Sequence, residues 1–595
     1  MIEPLKGRKR THRCGDLRSE HAGQRTRLMG WASRVRDHGG VLFLDLRDRY
    51  GITQVVFRPE KLPAEAMERA RGIGGEFVVL VEGEVRRRPE GSENPDLSTG
   101  GIEVEADVLA ILNTSRTPPF PLDGVGTASE DLRLRFRYLD LRREPLKRNI
   151  VFRHNMTRSV REFLSDGGFL EIETPLLVKP TPEGARDYVV PARLHPGKFY
   201  ALPQSPQLYK QILMVSGFDR YFQIARCLRD EDLRADRQPE FTQIDLEMSF
   251  VTEDDVFAVV EGMLRSIFRR DLGRDLSVPF PRITYGEAME RFGSDKPDLR
   301  IPFEIRDVTA AAGEGAFEVF RAARVESPSR MTGALAVPGL ATASRREIDG
   351  FEAAAKQAGA AGLAWTRVKA GALDGGVGKH FPGDLAEKLI EGCGAREGDL
   401  ILLASGPRAT VQRVLGLLRA QIGNAAFKLD PGDFRFIWVN QFPLFERDEG
   451  SGAWSPAHHI FTMPLDGDLP FIESDPGRVR AQLYDLAANG NELGSGSVRI
   501  HRKDIQEAVM RVIGMKSEEA QAKFGFLLEA FEYGAPPHGG IALGLDRLVV
   551  LFQGGDSIRD AIAFPKTASA TSLMDGAPAP IDPADLEGLK LRLQP

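Results

Sequence analysis

Two apolar, strand-like runs in residues 221–250 (YFQIARCLRDEDLRADRQPEFTQIDLEMSF) flank a connection that carries Arg229, Glu231, Arg234, Asp236, Arg237 and Gln238. Charge of that density cannot be buried unpaired, so the connection faces solvent or a charged ligand, and solvent is the usual partner of an isolated loop. Two further stretches hold groups of the same kind. GGIALGLDRLVVLF, residues 539–552, reads as a glycine-containing turn that sets Arg547 at the start of an apolar run; alone, this is equally a surface arginine at a helix start. YDLAANGNELGSGSVRI places Asp485 and Glu492 around a flexible polar backbone followed by Val498 and Ile500, the pattern of a ligand-facing strand and turn, although each acid also reads as a surface carboxylate. There is no G-x-x-x-x-G-K-[ST] loop. A triphosphate would need another way to be held, and arginines and magnesium can serve. The His458–His459 pair has no third metal ligand at sensible spacing, and Cys14, Cys227 and Cys393 form no C-x-x-C pair, which argues against structural zinc and a disulfide framework.

The elements that must position these groups follow from pattern and composition. A chain of 595 residues is too long for one core. No apolar run approaches the roughly 20 residues needed to span a bilayer, and the N-terminus MIEPLKGRKRTHR is followed by no apolar leader, so a cytoplasmic protein is expected. The net charge is −6, yet residues 1–36 carry ten Lys or Arg against Glu3, Asp16 and Glu20. That asymmetry suggests a polyanion-binding end or a solvated basic tail. Residues 24–112 read as five short alternating strands, with a helix-like segment, Pro63–Gly72, between the third and fourth, where an OB barrel carries its helix. The expected organisation is 1–112 as an OB-fold domain, 113–135 as linker and 136–293 as the first part of a mixed α/β domain. An Ala/Gly-rich insertion over 294–427, a second α/β part over 428–566 and a C-terminal extension over 567–595 complete it.

The wording RDEDLRADRQPEFTQ resembles motif 2 of class II aminoacyl-tRNA synthetases of the bacterial aspartyl type. GFLEIETPLL around Pro175 is similar to motif 1, and the stretch around Arg547 to motif 3, in the same order. The resemblance covers nearly the whole chain. It implies an N-terminal OB-fold barrel for the anticodon, a catalytic domain built on a six-stranded antiparallel sheet, an inserted α+β (GAD-type) domain, and a homodimer with the motif 1 proline at its interface. It further implies that L-aspartate is activated with ATP and magnesium and esterified onto tRNA.

Carried over residue by residue, the resemblance implies that Arg229 bridges the α-phosphate and the substrate α-carboxylate while Arg547 clamps the γ-phosphate, the two catalytic cations. Asp230, Glu231, Gln238, Glu492, Gly544, Leu545 and Asp546 would complete the ATP site, with Asp485 and Glu492 on magnesium. Ser205, Gln207, Glu183 and Asp245 match the surroundings of the aspartate ammonium, Lys210 and Arg499 match its side-chain carboxylate, and His458 joins the pocket. Two cations at that carboxylate would reject asparagine, whose NH₂ group they repel. In the barrel, Arg36, Phe43 and Gln54 match the anticodon readers.

His38 in RDHGG and Gly91 in RRRPEGSENP resemble non-discriminating enzymes, which charge both tRNA(Asp) and tRNA(Asn); discriminating relatives commonly carry leucine at the first position. Both are equally ordinary loop residues. The dual reading requires an amidotransferase partner that converts Asp-tRNA(Asn). The rivals are an enzyme specific for tRNA(Asp), an asparaginyl or lysyl enzyme, and a non-catalytic nucleic-acid-binding paralogue. The Ala/Gly-rich insertion and the cations Lys210 and Arg499 argue against asparaginyl and lysyl enzymes. Retention of Arg229, Glu231, Asp485, Glu492, Arg499 and Arg547 argues against a relic.

Overall fold

A computed structural model describes residues 2–123, 128–181, 184–232, 236–448 and 450–593. It divides into two compact units, residues 1–151 with 562–579 and residues 152–561 with 580–595.

In the first unit β1 (Arg25–His38), β2 (Val41–Arg47), β3 (Ile52–Phe57), β4 (Val78–Arg87) and β5 (Ile102–Asn113) close a barrel in the order β1-β2-β3-β5-β4. Every second residue of β1 and β2 points inward, so Leu28, Ala32, Leu42, Leu44 and Leu46 meet Val55, Val81 and Val104 in one core. Helix α1 (Ala64–Arg71) falls between β3 and β4 and buries Ala66, Met67 and Ala70. This is the OB-fold expected from the alternation. Within 113–135, residues Glu130–Arg135 are helical, because the Ser129 hydroxyl accepts Leu132 N and caps a turn there.

The second unit is organised by an eight-stranded sheet. Its strands are β6 (Leu170–Glu171), β9 (Arg220–Leu228), β10 (Glu240–Ser249), β11 (Arg282–Thr284), β17 (Phe436–Asn440), β20 (Leu483–Ala488), β21 (Asn491–Val498) and β22 (His538–Gly544), in the order β11-β17-β20-β21-β22-β10-β9-β6. Two strand pairs stand outside it: β7 (Val189–Pro191) and β8 (Phe199–Ala201) form a separate ribbon, as do β18 (Phe445–Arg447) and β19 (Trp454–Pro456). The expected six antiparallel strands are present, and two short edge segments extend the sheet to eight. The six central strands pair antiparallel, and the two- and three-residue segments β6 and β11 add parallel to the open edges of β9 and β17.

One face of this sheet packs on helices α2 (Glu144–Asp166) and α4 (Glu253–Asp271), separated in the chain by α3 (Gln207–Val215). Phe152, Met156, Val160 and Leu164 recur every four residues along α2 and share a core with Ile244, Leu246, Trp438 and Leu543 of the strands. Trp438 donates its indole N–H to Glu261 of α4 at 2.9 Å, so the buried polar atom is satisfied.

Residues between β11 and β17 form a second sheet, β12 (Ile305–Asp307), β13 (Arg330–Val337), β14 (Ala364–Lys369), β15 (Ala372–Asp374) and β16 (Leu400–Pro407), in the order β12-β13-β16-β14-β15. It is covered by α5 (Arg408–Ala426), whose Gly416 lies so near Gly293 that a Cβ there would stand 2.3 Å from the Gly293 carbonyl oxygen. The small residues of this stretch thus permit close packing between the two segments. Chain order alone shows that this sheet interrupts the larger one.

Candidate active site

Alternation along β10 makes the site. Ile244, Leu246 and Met248 enter the core, so Gln243, Asp245 and Glu247 project from the opposite face. Their partners across the ladder are small: Asp245 faces Ala542 and Glu247 faces Gly540. A Cβ on Gly540 would lie 2.3 Å from Glu247 Oε2, so glycine is needed where the carboxylate crosses the strand.

Two cations converge on these acids. Lys210, from α3, places Nζ 3.0 Å from Asp245 Oδ2 and 3.1 Å from Glu247 Oε2. Arg499, just beyond β21, donates Nε to Glu247 Oε1 at 2.9 Å and Nη2 to Oε2 at 3.2 Å. Its remaining donors reach Ser497 Oγ at 2.7 Å, Gly540 O at 3.3 Å and the vicinity of His459 Nε2 at 3.0 Å. All four charged residues are 2 % exposed or less. Burial alone would raise the Glu247 carboxyl, but Arg499 and Lys210 outweigh it and bring it down to about 2. Asp245 goes the other way, raised by burial and by Glu247 against the pull of Lys210, and its Oδ1 has no hydrogen-bond partner among the described residues. Burial and Arg499 hold His459 neutral, well below the ordinary histidine range.

These groups line a cleft of about 690 Å³ with Ser205, Gln207, His458, Arg229, Glu231, Gln238, Glu492, Gly544, Asp546 and Arg547. Ser205 Oγ accepts Gln207 N at the start of α3, and Gln207 donates to Gln211 at 3.1 Å. Gln211 in turn lies 3.2 Å from His538. His458 packs edge-on against Phe442 at 5.1 Å, while its neighbour His459 is the one beside Arg499. Glu183 lies outside the described residues, as does Arg234.

Arg229 begins the connection after β9, anchored by its N–H to Pro239 O at 2.9 Å, with the guanidinium 5.1 Å above the Phe241 ring. Its Nε is buried without a partner among the described residues. Glu231 accepts from Arg237 at 2.6 Å and lies 3.9 Å from Arg229; Asp230 pairs with Arg186 at 3.4 Å. Gln238 is buried. Arg547 donates to Glu492 O at 2.9 Å and lies 3.5 Å from Asp236. In helix α6 (Leu545–Gln553) the side chain of Leu545 belongs to the hydrophobic core, so only its backbone is open to a ligand. Asp546 accepts Thr242 N at 2.9 Å and pairs with Arg153, tying α6 to β10.

Asp485 and Glu492 sit on the hairpin β20–β21. Burial and Glu492 push the Asp485 carboxyl well above its ordinary range, and its Oδ1 has no hydrogen-bond partner among the described residues. Two repelling carboxylates with an orphaned oxygen are a donor set that fits a hard cation such as Mg²⁺, which takes one or two carboxylates and completes its shell with phosphate and water. Among the described residues, no group of three metal-ligating side chains forms.

The barrel carries a separate set. Phe43 is opposite Arg36 across β1–β2 and half-buried, and His38 meets its ring edge-on at 5.6 Å. Arg36 donates to Asp45 at 2.8 Å, and Gln54 to Glu103 at 2.9 Å. Gly91 stands apart from these contacts. Its φ is +82°, its N–H donates to Glu93, and a Cβ would meet nothing within 4 Å, so the turn conformation accounts for the glycine.

Sequence reasoning missed Glu247, His459 and Gln211. The signal for Glu247 was its period-2 spacing from Asp245. Nothing local marked His459 over His458.

Comparison with known proteins bears on the whole chain. The family of tRNA synthetases class II (D, K and N) matches residues 129–568, and an OB-fold nucleic acid binding domain matches residues 26–112. An aspartate--tRNA(Asp/Asn) ligase of Rubrobacter xylanophilus is 53% identical over 98% of this chain and 97% of its own length. One from Anoxybacillus flavithermus is 50% identical over 98% of both. Among solved structures, asparaginyl-tRNA synthetase from Pyrococcus horikoshii complexed with asparaginyl-adenylate is similar at TM-score 0.60 and 21% identity, covering 93% of this chain and 98% of that one. At that identity it shows the fold alone.

Glu247→Gln should destabilise the protein at neutral pH by about 3–5 kcal/mol, since it leaves Lys210 and Arg499 short of a buried anion. The Glu247 carboxyl is lowered on folding, so its contribution is present above its unfolded pKa near 4.5 and fades as pH falls towards about 2. Denaturant titrations should show the gap between wild type and variant closing across that window; a gap independent of pH would contradict the assignment.

Proposed function

The chain belongs to the class II tRNA synthetases of the D, K and N group, and from that premise we propose that it activates L-aspartate with ATP and esterifies it onto tRNA(Asp) and tRNA(Asn). The observation that carries the choice of amino acid is the buried Lys210–Glu247–Arg499 cluster at the cleft. Lys210 has one N–H left after Asp245 and Glu247, and Arg499 can turn a donor from neutral His459 towards a carboxylate. A side-chain carboxylate is attracted there, and a carboxamide presents N–H groups to N–H groups. Asp245 Oδ1, Ser205 and Gln207 are suited to the ammonium.

The aspartate α-carboxylate attacks the α-phosphorus of ATP, the bond to the pyrophosphate oxygen breaks, and aspartyl-adenylate forms. Arg229 neutralises the α-phosphate and orients the attacking carboxylate, and Arg547 holds the γ-phosphate, so the protein supplies alignment and charge in place of a nucleophile. Asp485 and Glu492 would hold Mg²⁺, which when bound neutralises phosphate charge. A ribose hydroxyl of the terminal tRNA adenosine then attacks the adenylate carbonyl and AMP leaves. The barrel reads the anticodon with Phe43, Arg36 and Gln54, and His38 beside Phe43 supports tolerance of either third base; the relatives named for both tRNAs support the same reading.

A homodimer is supported by the exposed motif 1 leucines, Leu170, Leu176 and Leu177. The cytoplasm is the compartment in which ATP and tRNA meet, and no described helix is long and apolar enough to cross a membrane. If Asp-tRNA(Asn) is made, an amidotransferase must consume it.

Aspartate-dependent ATP–pyrophosphate exchange tests the first step. Arg229→Ala should reduce it about a hundred- to a thousandfold, on the scale of one lost charge-stabilising donor; activity within about tenfold of wild type would remove Arg229 from the chemistry. Charging assays test the barrel. Phe43→Ala should weaken charging of both tRNAs about tenfold or more, the scale of one stacked base, with exchange intact; His38→Leu should depress tRNA(Asn) alone. Equal loss on both tRNAs would show that His38 does not set the choice.

A further inference from the structure

Along the cleft face of β10, Phe241, Gln243 and Asp245 follow one another at every second position. The Arg229 guanidinium lies 5.1 Å from the Phe241 ring, and Asp245 carries an Oδ1 with no hydrogen-bond partner among the described residues. Gln243 therefore stands between these two groups, and it lines the cleft with them. Its ladder partners are small, Ala225 on β9 and Gly544 on β22, which leaves the space above its amide open. One neighbour fixes that amide. Cys227, on the same face of β9 and fully buried, sets its Sγ 3.2 Å from Gln243 Oε1. A thiol hydrogen can be donated only to the amide oxygen, so the bond selects the orientation in which Nε2 and its two hydrogens are directed away from Cys227. Among the described residues Nε2 donates to no protein group.

We propose that Gln243 is a further catalytic donor, hydrogen-bonded to the oxygen of the aspartate α-carboxylate that is retained as the carbonyl, and that Cys227 is the positioning residue that holds its amide. The inference rests on aspartate being activated in this cleft, with its ammonium at Asp245 and its α-carboxylate turned to Arg229. An N–H donor between those groups meets a different charge in each step. In activation the other carboxylate oxygen attacks phosphorus, and the oxygen held by Gln243 goes from sharing a negative charge to being a neutral carbonyl. The donor there strengthens aspartate binding without lowering the barrier. In transfer the ribose oxygen bonds to the carbonyl carbon, its proton passes to the AMP phosphate or to water, and the carbonyl π pair moves onto the oxygen held by Gln243. That pair returns as the bond to AMP breaks, and the electrons of the broken bond leave on AMP. The transient oxyanion is the charge that a preorganised N–H donor stabilises most. Gln243 thus serves binding in the first step and catalysis in the second.

The test combines ATP–pyrophosphate exchange with single-turnover transfer from preformed, enzyme-bound aspartyl-adenylate to tRNA(Asp), on the full chain carrying Gln243→Met, Cys227→Ala or Cys227→Ser. Gln243→Met, similar in volume and without N–H donors, should slow transfer about a hundredfold, the scale of one oxyanion donor. In exchange it should raise the KM for aspartate about fivefold, the scale of one hydrogen bond, with kcat and the KM for ATP changed less than about threefold. Cys227→Ala frees the amide to turn and should show the same split at about fivefold in transfer, and Cys227→Ser, whose hydroxyl also donates, should recover most of that loss. Combined with Gln243→Met, Cys227→Ala should add nothing, because it acts through Gln243 alone. Should Gln243→Met fail to fold, the Cys227→Ala and Cys227→Ser pair decides by the same split between transfer and exchange. Transfer at the wild-type rate in Gln243→Met, a kcat for exchange that falls as far as the transfer rate, or losses that add in the double variant would overturn the proposal. Wild-type protein without aspartate-dependent exchange would instead sink the substrate reading, and the inference with it.

Discussion

Placing Lys210 and Arg499 in a water-poor site is the constraint around which the cleft is built. Either cation alone would cost several kcal/mol to desolvate, and a single carboxylate, Glu247, meets both. That requirement propagates outward. Glu247 must leave β10 on the face away from Leu246, the facing position on β22 must be glycine, and the Gly540 carbonyl must be free to accept from Arg499. Asp245 and Ser497 then complete the pairing, and His459 stays neutral because it is buried and because a second positive charge beside Arg499 would be repelled. The cluster is close to balanced before any ligand arrives. A ligand carboxylate is recognised through oriented donors, with no large uncompensated field to hold.

The chemistry-bearing side chains come from distant parts of the chain because the antiparallel sheet brings together strands remote in sequence. Glu247 and Arg499 are 252 residues apart, and the inserted sheet of β12 to β16 lies between them in the chain. Asp546 performs the corresponding task for the phosphate side. By holding Thr242 N and Arg153 it fixes the start of α6, and Arg547 follows from that turn with Glu492 beside it.

Much of this was legible in the residues. Strict alternation in 24–112 marked the barrel and its helix, the change of composition near Ser294 marked the inserted sheet, and the wording around Arg229 marked the family. Glu247 was legible only as a strand-face partner of Asp245, because an acid between Leu246 and Met248 looks like any solvent-facing strand residue until the strand opposite is known to be glycine-rich. Leu545 was read as a ligand-site residue from its place in a motif, and its side chain turns into the core because it opens a helix whose other face is occupied by Asp546 and Arg547. Both His458 and His459 line the cleft, and that His459 is the one beside Arg499 is a contact across 40 residues that no local pattern carries. The parallel edge segments β6 and β11, two and three residues long, are below the length at which periodicity can be read at all.

The central claim is that oriented cationic donors at Lys210 and Arg499 choose a carboxylate over a carboxamide. Isothermal titration of the wild-type protein with L-aspartate and with L-asparagine, under the same salt and with ATP absent, measures that choice directly. The account predicts binding of aspartate at least about a thousandfold tighter, on the scale by which a site built for one polar group rejects its mismatched analogue. Affinities within about tenfold of each other would contradict it.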